Sequence, residues 1–448
     1  MVLADGARVD VFEQLLAAGE LPNIQRHVID RGAYRRATSV FTSTTGPAHI
    51  PFLTGCFPGT ANVPGYRWFD RRAYVPGLPM GPWCLRSYNG PEAWLYARDL
   101  EARTLFELTD DALNVFGVIT RGAENVGGRI KSPLWLWSHY AHDYRMPDAF
   151  AERAMLAALR RPSEFRFVVF PGIDWMSHYV DLAGEETLER YRTVDRAVGT
   201  AAEELRRQGA YDETLLVVCS DHGHNAVHTH FDLAPELERH WGIVTAYHSG
   251  KVWRRSPGAV VCVSGNGMSH VYFRGGEVPR EVVDWLLLEP AVDIVASREG
   301  DGLLVESRRG RALLSEDREL RYHALEGDPF GFGAVRERLT PEEALERTFE
   351  TRYPDALLQL VQLLRSRRSG DLIVSATPGY DLRYLYESPE HRSSHGALYR
   401  EHMLVPLALS VPLTGEPMRT VDLFSTVLAY LRRPVPAGVD GVSRLARV

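Results

Sequence analysis

Thr214-Leu215-Leu216-Val217-Val218-Cys219-Ser220-Asp221-His222-Gly223 is the stretch on which the fold turns. Its first half is a short, continuous apolar run, the mark of a strand buried on both faces of a parallel sheet. Its second half places an acid and an imidazole where that strand ends. Gly223 permits the sharp turn that lets both side chains reach one point. In open α/β sheets, ligands bind beyond the carboxyl ends of the strands. The run therefore predicts an architecture and also the end of it that carries chemistry.

Comparable runs recur. Asn114–Thr120, Phe165–Phe170 and Asp371–Ala376 read as buried strands, and Leu404–Leu413 as a further one. Helical patterns lie between them. Val9–Ala18 carries Val9, Phe12, Leu15 and Leu16 on one face, and Leu188–Gln208 spaces Leu188, Tyr191, Val194, Val198 and Leu205 in the same way. Gly209 follows as a stop signal. Alternating strands and helices predict an α/β fold with a mainly parallel central sheet and helices on both faces. From about residue 243 the texture changes. Ala259–Val263, His270–Phe273 and Gly302–Ser307 alternate between Gly-rich turns, and a helical stretch, Thr340–Arg365, follows. We read residues 243–365 as an inserted α+β cap, with 1–242 and 366–448 forming the catalytic core. The main sheet is expected to resume with Asp371–Ala376.

The chain has 448 residues, of which 45% are hydrophobic and 24% charged, so a substantial core is available. A net charge of −7 gives no nucleic-acid-binding footprint. Only Lys131 and Lys251 are lysines among the 51 basic residues, and the arginines spread over the whole chain without marking a site. No segment reaches the roughly 18 unbroken apolar residues of a membrane span. The four cysteines are scattered, with no Cys-x-x-Cys pair, and nothing argues for a disulfide framework.

Polar groups gather after the strands. Asp5 follows the stub Val2-Leu3-Ala4 and precedes Gly6, a pairing that also fits a simple turn. Asp174 and His178 are spaced i, i+4, so they share one face of a helical turn, as a metal site needs; a capping acid beside a surface histidine has the same spacing. Asp221 and His222 open a run that also holds His224, His228 and His230. His395 stands beside Gly396. Thr42-Ser43-Thr44-Thr45-Gly46-Pro47-Ala48-His49 offers hydroxyls where regular structure breaks, able to meet an anion or to cap a helix. Together these clusters hold three Asp, three His and one candidate hydroxyl nucleophile. That inventory suits two cation sites of oxygen and nitrogen donors, with Zn²⁺ favoured and Mn²⁺ or Fe compatible.

In this order the motifs resemble the alkaline phosphatase superfamily, and within it the type I phosphodiesterase/nucleotide pyrophosphatase branch. The resemblance rests on Asp5-Gly6, Thr45-Gly46-Pro47-Ala48-His49 with Thr54-Gly55, Asp174-x-x-x-His178, Ser220-Asp221-His222-Gly223 and His395-Gly396. It implies an alkaline phosphatase-like fold and a metal-dependent phosphodiesterase acting on a small-molecule phosphoester. It implies that Asp174, His178 and His395 hold one divalent ion, that Asp5, Asp221 and His222 hold the other, and that Thr45 is the nucleophile, bound to the second. Zn²⁺ is the ion usual in the family. Phosphomonoesterase, phosphonate hydrolase and phospho-group transferase activities on the same site are the alternatives, with a non-catalytic metal-binding relative a further one. A sulfatase is disfavoured, because no Cys/Ser-x-Pro-x-Arg motif is present.

Two departures from the branch stand out. Ala48 occupies a place where the branch usually has Asn, and Gly46 follows the nucleophile where an aromatic is usual. Tyr66, Trp68 and Phe69 are candidates for the missing aromatic wall, or else packing anchors. His224, His228 and His230 are not standard ligands; pocket-lining and solvated roles are both open for them.

If Asp5 is a ligand, Met1–Ala4 is what is present of a central strand, shorter than the usual five or six residues. The expectation is that the natural chain begins upstream. The sequence as it stands has no signal peptide and reads as cytoplasmic, but an upstream start would leave compartment open. Oligomeric state is not legible.

Overall fold

The computed structural model describes residues 1–88, 94–126, 145–247, 253–254, 256–333, 335, 337–383 and 390–446. Residues 248–252, 255, 334 and 336 of the expected cap therefore lie outside the described residues.

The first of two large sheets has eight strands, in the order Met418–Arg419, Ala33–Thr38, Leu404–Leu409, Val217–Cys219, Val2–Ala4, Arg166–Phe170, Leu113–Val115 and Glu124–Asn125. Val2–Ala4 is central and pairs in parallel on both sides, with Leu3 opposite Val169 and Cys219. Only Leu404–Leu409 runs against its neighbours. The sheet is thus mainly parallel. Every residue of Val2–Ala4 and of Leu404–Leu409 is buried, as strands covered on both faces must be. Helix Val9–Ala17 packs on Leu404–Leu409, Arg145–Leu159 on Arg166–Phe170, and Glu185–Arg207 on Val2–Ala4.

The expected strands are present but shorter. The run from Asn114 leaves the sheet after Val115, because Phe116 takes a left-handed backbone (φ 62°) ahead of Gly117. The run from Thr214 pairs only over Val217–Cys219. All four cysteines are free and buried.

The second sheet has nine strands, in the order Thr245–Ala246, Ala259–Ser264, Met268–Phe273, Leu372–Ala376, Val292–Glu299, Gly302–Ser307, Gly310–Glu316, Leu320–Gly327 and Arg338–Leu339. This corrects one expectation. Leu372–Ala376 does not rejoin the first sheet; it lies between Met268–Phe273 and Val292–Glu299, antiparallel to both. A five-residue apolar run buried on both faces reads the same in either sheet, so pattern alone does not tell them apart. The helical stretch Thr340–Arg365 holds two helices. Pro341–Thr348 starts on a capping box of Thr340 and Glu343, and Ala356–Val361 continues into a 3₁₀ turn, Gln362–Arg365. Pro354 lacks an N–H and restricts Tyr353 before it, which breaks the helix between them.

Among the described residues no helix is long and apolar enough to cross a membrane.

Candidate active site

The residues expected to carry chemistry meet at the carboxyl end of the first sheet. Asp5 directly follows Val2–Ala4, and its N–H donates to Phe170 O on the next strand (3.0 Å). Asp174 and His178 lie one turn apart on helix Gly172–Tyr179, which begins just after Arg166–Phe170 ends. The Asp174 N–H donates to Asp5 O (3.0 Å), stapling the two loops together. Asp221 and His222 follow Val217–Cys219. Thr45 sits in the loop after Ala33–Thr38, and His395 in the loop before Leu404–Leu409, whose reversed direction brings it to the same end.

Thr45 Oγ1 lies 3.1 Å from Asp5 Oδ1 and 3.1 Å from His222 Nε2. His222 Nε2 is also 3.6 Å from Asp5 Oδ1 and 3.5 Å from Asp221 Oδ2. On the other side, Asp174 Oδ1 is 3.5 Å from His178 Nε2 and 3.6 Å from His395 Nε2. All seven residues singled out from the sequence are therefore brought together.

Backbone and hydroxyl contacts fix the rings. His178 Nδ1 faces the Ser393 carbonyl at 2.9 Å, and His222 Nδ1 faces the Gly223 carbonyl at 3.2 Å. Each ring thereby turns Nε2 inward, which is how ligating imidazoles are usually held.

The electrostatics suit cations. Burial, together with the Asp221 and Asp174 carboxylates, pushes Asp5 well above the usual carboxylate range. Burial acts on Asp174 in the same direction, but His178 and His224 hold it well below that range. Burial lowers His224 to about 4, against the pull of Asp174. His395 is lowered by burial and then by His222. His224 and His395 thus stand neutral, with lone pairs to offer. Asp221 Oδ2 has no well-directed hydrogen bond among the described residues, although His49 Nε2 stands 3.3 Å away. Three buried carboxyl groups facing imidazole nitrogens make a nitrogen-and-oxygen donor set that fits divalent ions such as Zn²⁺. Among the described residues, three groups have ligand atoms within 4.8 Å of one another: Asp174–His178–His224–His395, Asp5–His49–Asp221 and Asp5–Asp174–His222.

The sequence profile of the Type I phosphodiesterase / nucleotide pyrophosphatase family matches residues 1–398. The chain belongs to this family. The type I phosphodiesterases are metal-dependent phosphoric ester hydrolases, and the protein is accordingly a phosphoester hydrolase. No curated protein matches the chain. Solved structures share its fold. Phosphonoacetate hydrolase from Sinorhizobium meliloti 1021, in complex with phosphonoacetate, aligns over 96% of this chain and 94% of its own, with TM-score 0.59 and 18% identity. Murine ectonucleotide pyrophosphatase / phosphodiesterase 5 aligns over 97% and 95%, with TM-score 0.60 and 14% identity. Its inactive threonine-to-alanine variant, in complex with AMP, aligns over the same shares, with TM-score 0.59 and 14% identity.

Within this type I phosphodiesterase, the two departures have structural readings. Ala48 is fully buried and belongs to the core cluster that also holds Val40, Phe41 and Met268. Gly46 has φ 102°, and a Cβ there would stand 3.1 Å from Tyr96 and 3.4 Å from Tyr66. Those two rings occupy the room an aromatic at position 46 would need. Trp68 and Phe69 are buried packing residues, whereas Tyr66 is half-buried.

Two histidines join the cluster that the sequence did not assign to it. His49 closes the Thr45-Gly46-Pro47-Ala48-His49 motif and abuts Asp221. His224 Nε2 lies 2.8 Å from Asp174 Oδ1. Their only sequence signals are the motif and the histidine-rich run. His228 is exposed, and His230 pairs with Asp381 and Glu390 away from these groups.

Asp148 supports the helix that carries Asp174 and His178. It is fully buried, and its Oδ1 accepts the Gly172 N–H at the helix start (2.9 Å). Burial pushes its carboxyl up to about 7, with Arg190 pulling the other way. A raised carboxyl contributes stability that is present below the unfolded pKa near 3.8 and is lost as pH rises through 7. Between pH 5 and 8 the protein should lose about 3 kcal/mol relative to Asp148→Asn, which does not titrate. Parallel denaturant midpoints for the two proteins across that range would refute this.

Proposed function

We propose that the chain hydrolyses phosphodiesters, nucleotide pyrophosphates among them, with Thr45 as nucleophile and two divalent ions, most simply Zn²⁺, in the paired Asp/His groups. The observation that carries this is the place of Thr45 Oγ1, 3.1 Å from both Asp5 Oδ1 and His222 Nε2. Asp174, His178 and His395 would hold one ion, and Asp5, Asp221 and His222 the other. When bound, such ions supply Lewis acidity and neutralise charge on the phosphoryl oxygens. The inactive threonine-to-alanine variant of the murine structural neighbour supports a threonine nucleophile.

In this reading Thr45 Oγ1 attacks phosphorus in line with the leaving oxygen. Its proton departs along the hydrogen bond to Asp5 Oδ1. The bond from phosphorus to one ester oxygen breaks, that oxygen leaves as the alcohol on taking a proton from solvent, and Thr45 remains as a phosphodiester that still carries the substrate's second ester group. Water then attacks that phosphorus, the Thr45–phosphorus bond breaks, and Oγ1 regains a proton. Asp5 and His222 hold the hydroxyl oriented in both steps. Residues 243–365, with the strand Leu372–Ala376 that completes their sheet, form the cap that would shape substrate choice.

Exhaustive chelation should lower turnover of bis-p-nitrophenyl phosphate at least about a hundredfold, with recovery on adding Zn²⁺ or Mn²⁺. The matching monoester should turn over more slowly. Activity that survives chelation would overturn the metal reading. Preference for the monoester, or for a phosphonate, would overturn the substrate reading.

A further inference from the structure

Three imidazole nitrogens, not two, converge on one carboxylate oxygen. His224 Nε2, His178 Nε2 and His395 Nε2 stand 2.8, 3.5 and 3.6 Å from Asp174 Oδ1. Ligand atoms of a tetrahedral zinc site, at about 2.0–2.1 Å from the ion, are roughly 3.3 Å apart. The separations to His178 and His395 lie close to that edge. The His224 distance is that of a hydrogen bond, about half an ångström shorter, within reach of a small tilt of the ring.

Two further features point the same way. His224 Nδ1 lies 3.1 Å from Ser393 Oγ, and His178 Nδ1 faces the carbonyl of the same residue. One serine thus orients both rings with Nε2 inward, the outer-shell arrangement of ligating histidines. The chain also leaves room for the ring. A Cβ on Gly6 would fall 2.7 Å from His224 Nε2, and His224 is fully buried.

We propose that His224 is a fourth protein ligand of the ion held by Asp174, His178 and His395, closing that centre with three nitrogens and one oxygen. This rests on the two-ion reading above. A centre with four protein ligands is closed and retentive, and it accepts a substrate oxygen only by expanding its coordination. The neighbouring group offers the side chains of Asp5, Asp221 and His222, with the reacting hydroxyl of Thr45 beside them. The two ions should therefore differ in how tightly they are held.

The competing role for His224 is to donate a hydrogen bond to Asp174 without touching the ion. His224→Gln separates the two roles, since its amide can still donate to Asp174 but is a poor metal ligand. Wild-type protein loaded with Co²⁺ should show the intense visible bands of a four-coordinate centre. In His224→Gln those bands should fade, and the affinity for one Zn²⁺ equivalent should fall at least about tenfold while the other is unchanged. A variant with wild-type spectrum and affinity would overturn the proposal. Anomalous diffraction from the Zn²⁺-loaded wild type gives a check that needs no variant. His224 Nε2 about 2.0–2.1 Å from the ion supports ligation, and a separation beyond about 3 Å overturns it. Failure of His224 alone leaves the two-ion reading standing, whereas a wild type that binds no Zn²⁺ or Co²⁺ overturns both.

Discussion

Thr45→Ala is expected to lower turnover of a phosphodiester at least about a thousandfold while leaving the fold intact. The size of the effect follows from what the hydroxyl does. Oγ1 is the atom that would bond to phosphorus, so its removal deletes a step of the reaction rather than weakening a contact. The structural cost is small. Thr45 is half-buried in a loop, and its hydroxyl partners, Asp5 and His222, keep other contacts with the cluster. Thr45→Ser restores the hydroxyl and should recover a measurable part of the rate. The experiment pairs steady-state kinetics with thermal unfolding. Unchanged turnover in Thr45→Ala would remove the nucleophile assignment. A large fall in melting temperature would show instead that the loop had collapsed.

The second large effect is expected at Gly6, which makes no side-chain contact at all. Its φ is +74°, and a Cβ there would lie 2.7 Å from His224 Nε2, 2.9 Å from Asp174 Cα and 2.9 Å from Asp174 Cβ. The ring has freedom to swing aside, but the Asp174 backbone is held by its hydrogen bond to Asp5 O. The Gly6 N–H also donates to Asp221 Oδ1 (3.2 Å), so moving residue 6 disturbs all three carboxylates. Gly6→Ala therefore combines a left-handed backbone penalty with overpacking, together about 3 kcal/mol. Displacing a cluster of this kind by about an ångström typically costs a hundredfold in rate. Loss of activity together with loss of bound metal is the expected result, read by kinetics and by metal analysis of the purified protein. A Gly6→Ala protein with normal metal content and normal turnover would show that this close approach has no functional weight.

The clustering of these residues is readable from sequence because each of the three acids follows a strand. An apolar run that stops at an acid marks its own carboxyl end, and Asp5, Asp174 and Asp221 all follow such runs. The helix holding Asp174 and His178 could be read from their spacing alone. His224 and His49 were not legible as site residues, because neither position is fixed by its local pattern. His224 turns inward only because Ser393, distant in the chain, anchors its Nδ1. Leu372–Ala376 was assigned to the wrong sheet for the same reason. Its residues specify burial on both faces, while its neighbours, Met268–Phe273 and Val292–Glu299, are a matter of tertiary pairing. Ala48, which stands where the branch usually has Asn, is fully buried, a placement that its local pattern does not fix.

The central place of Val2–Ala4 also bears on how the chain folds as it is made. Val2–Ala4 pairs with residues 168–170 and 218–219, so it stays unpaired until both partners are translated. Pairings this distant in sequence form slowly and leave apolar edges uncovered in the meantime. Asp5 waits longest, since His395 is among the last groups to join its cluster. Whatever fills that cluster must enter a nearly finished fold, and so cannot serve as the seed around which the nascent chain collapses.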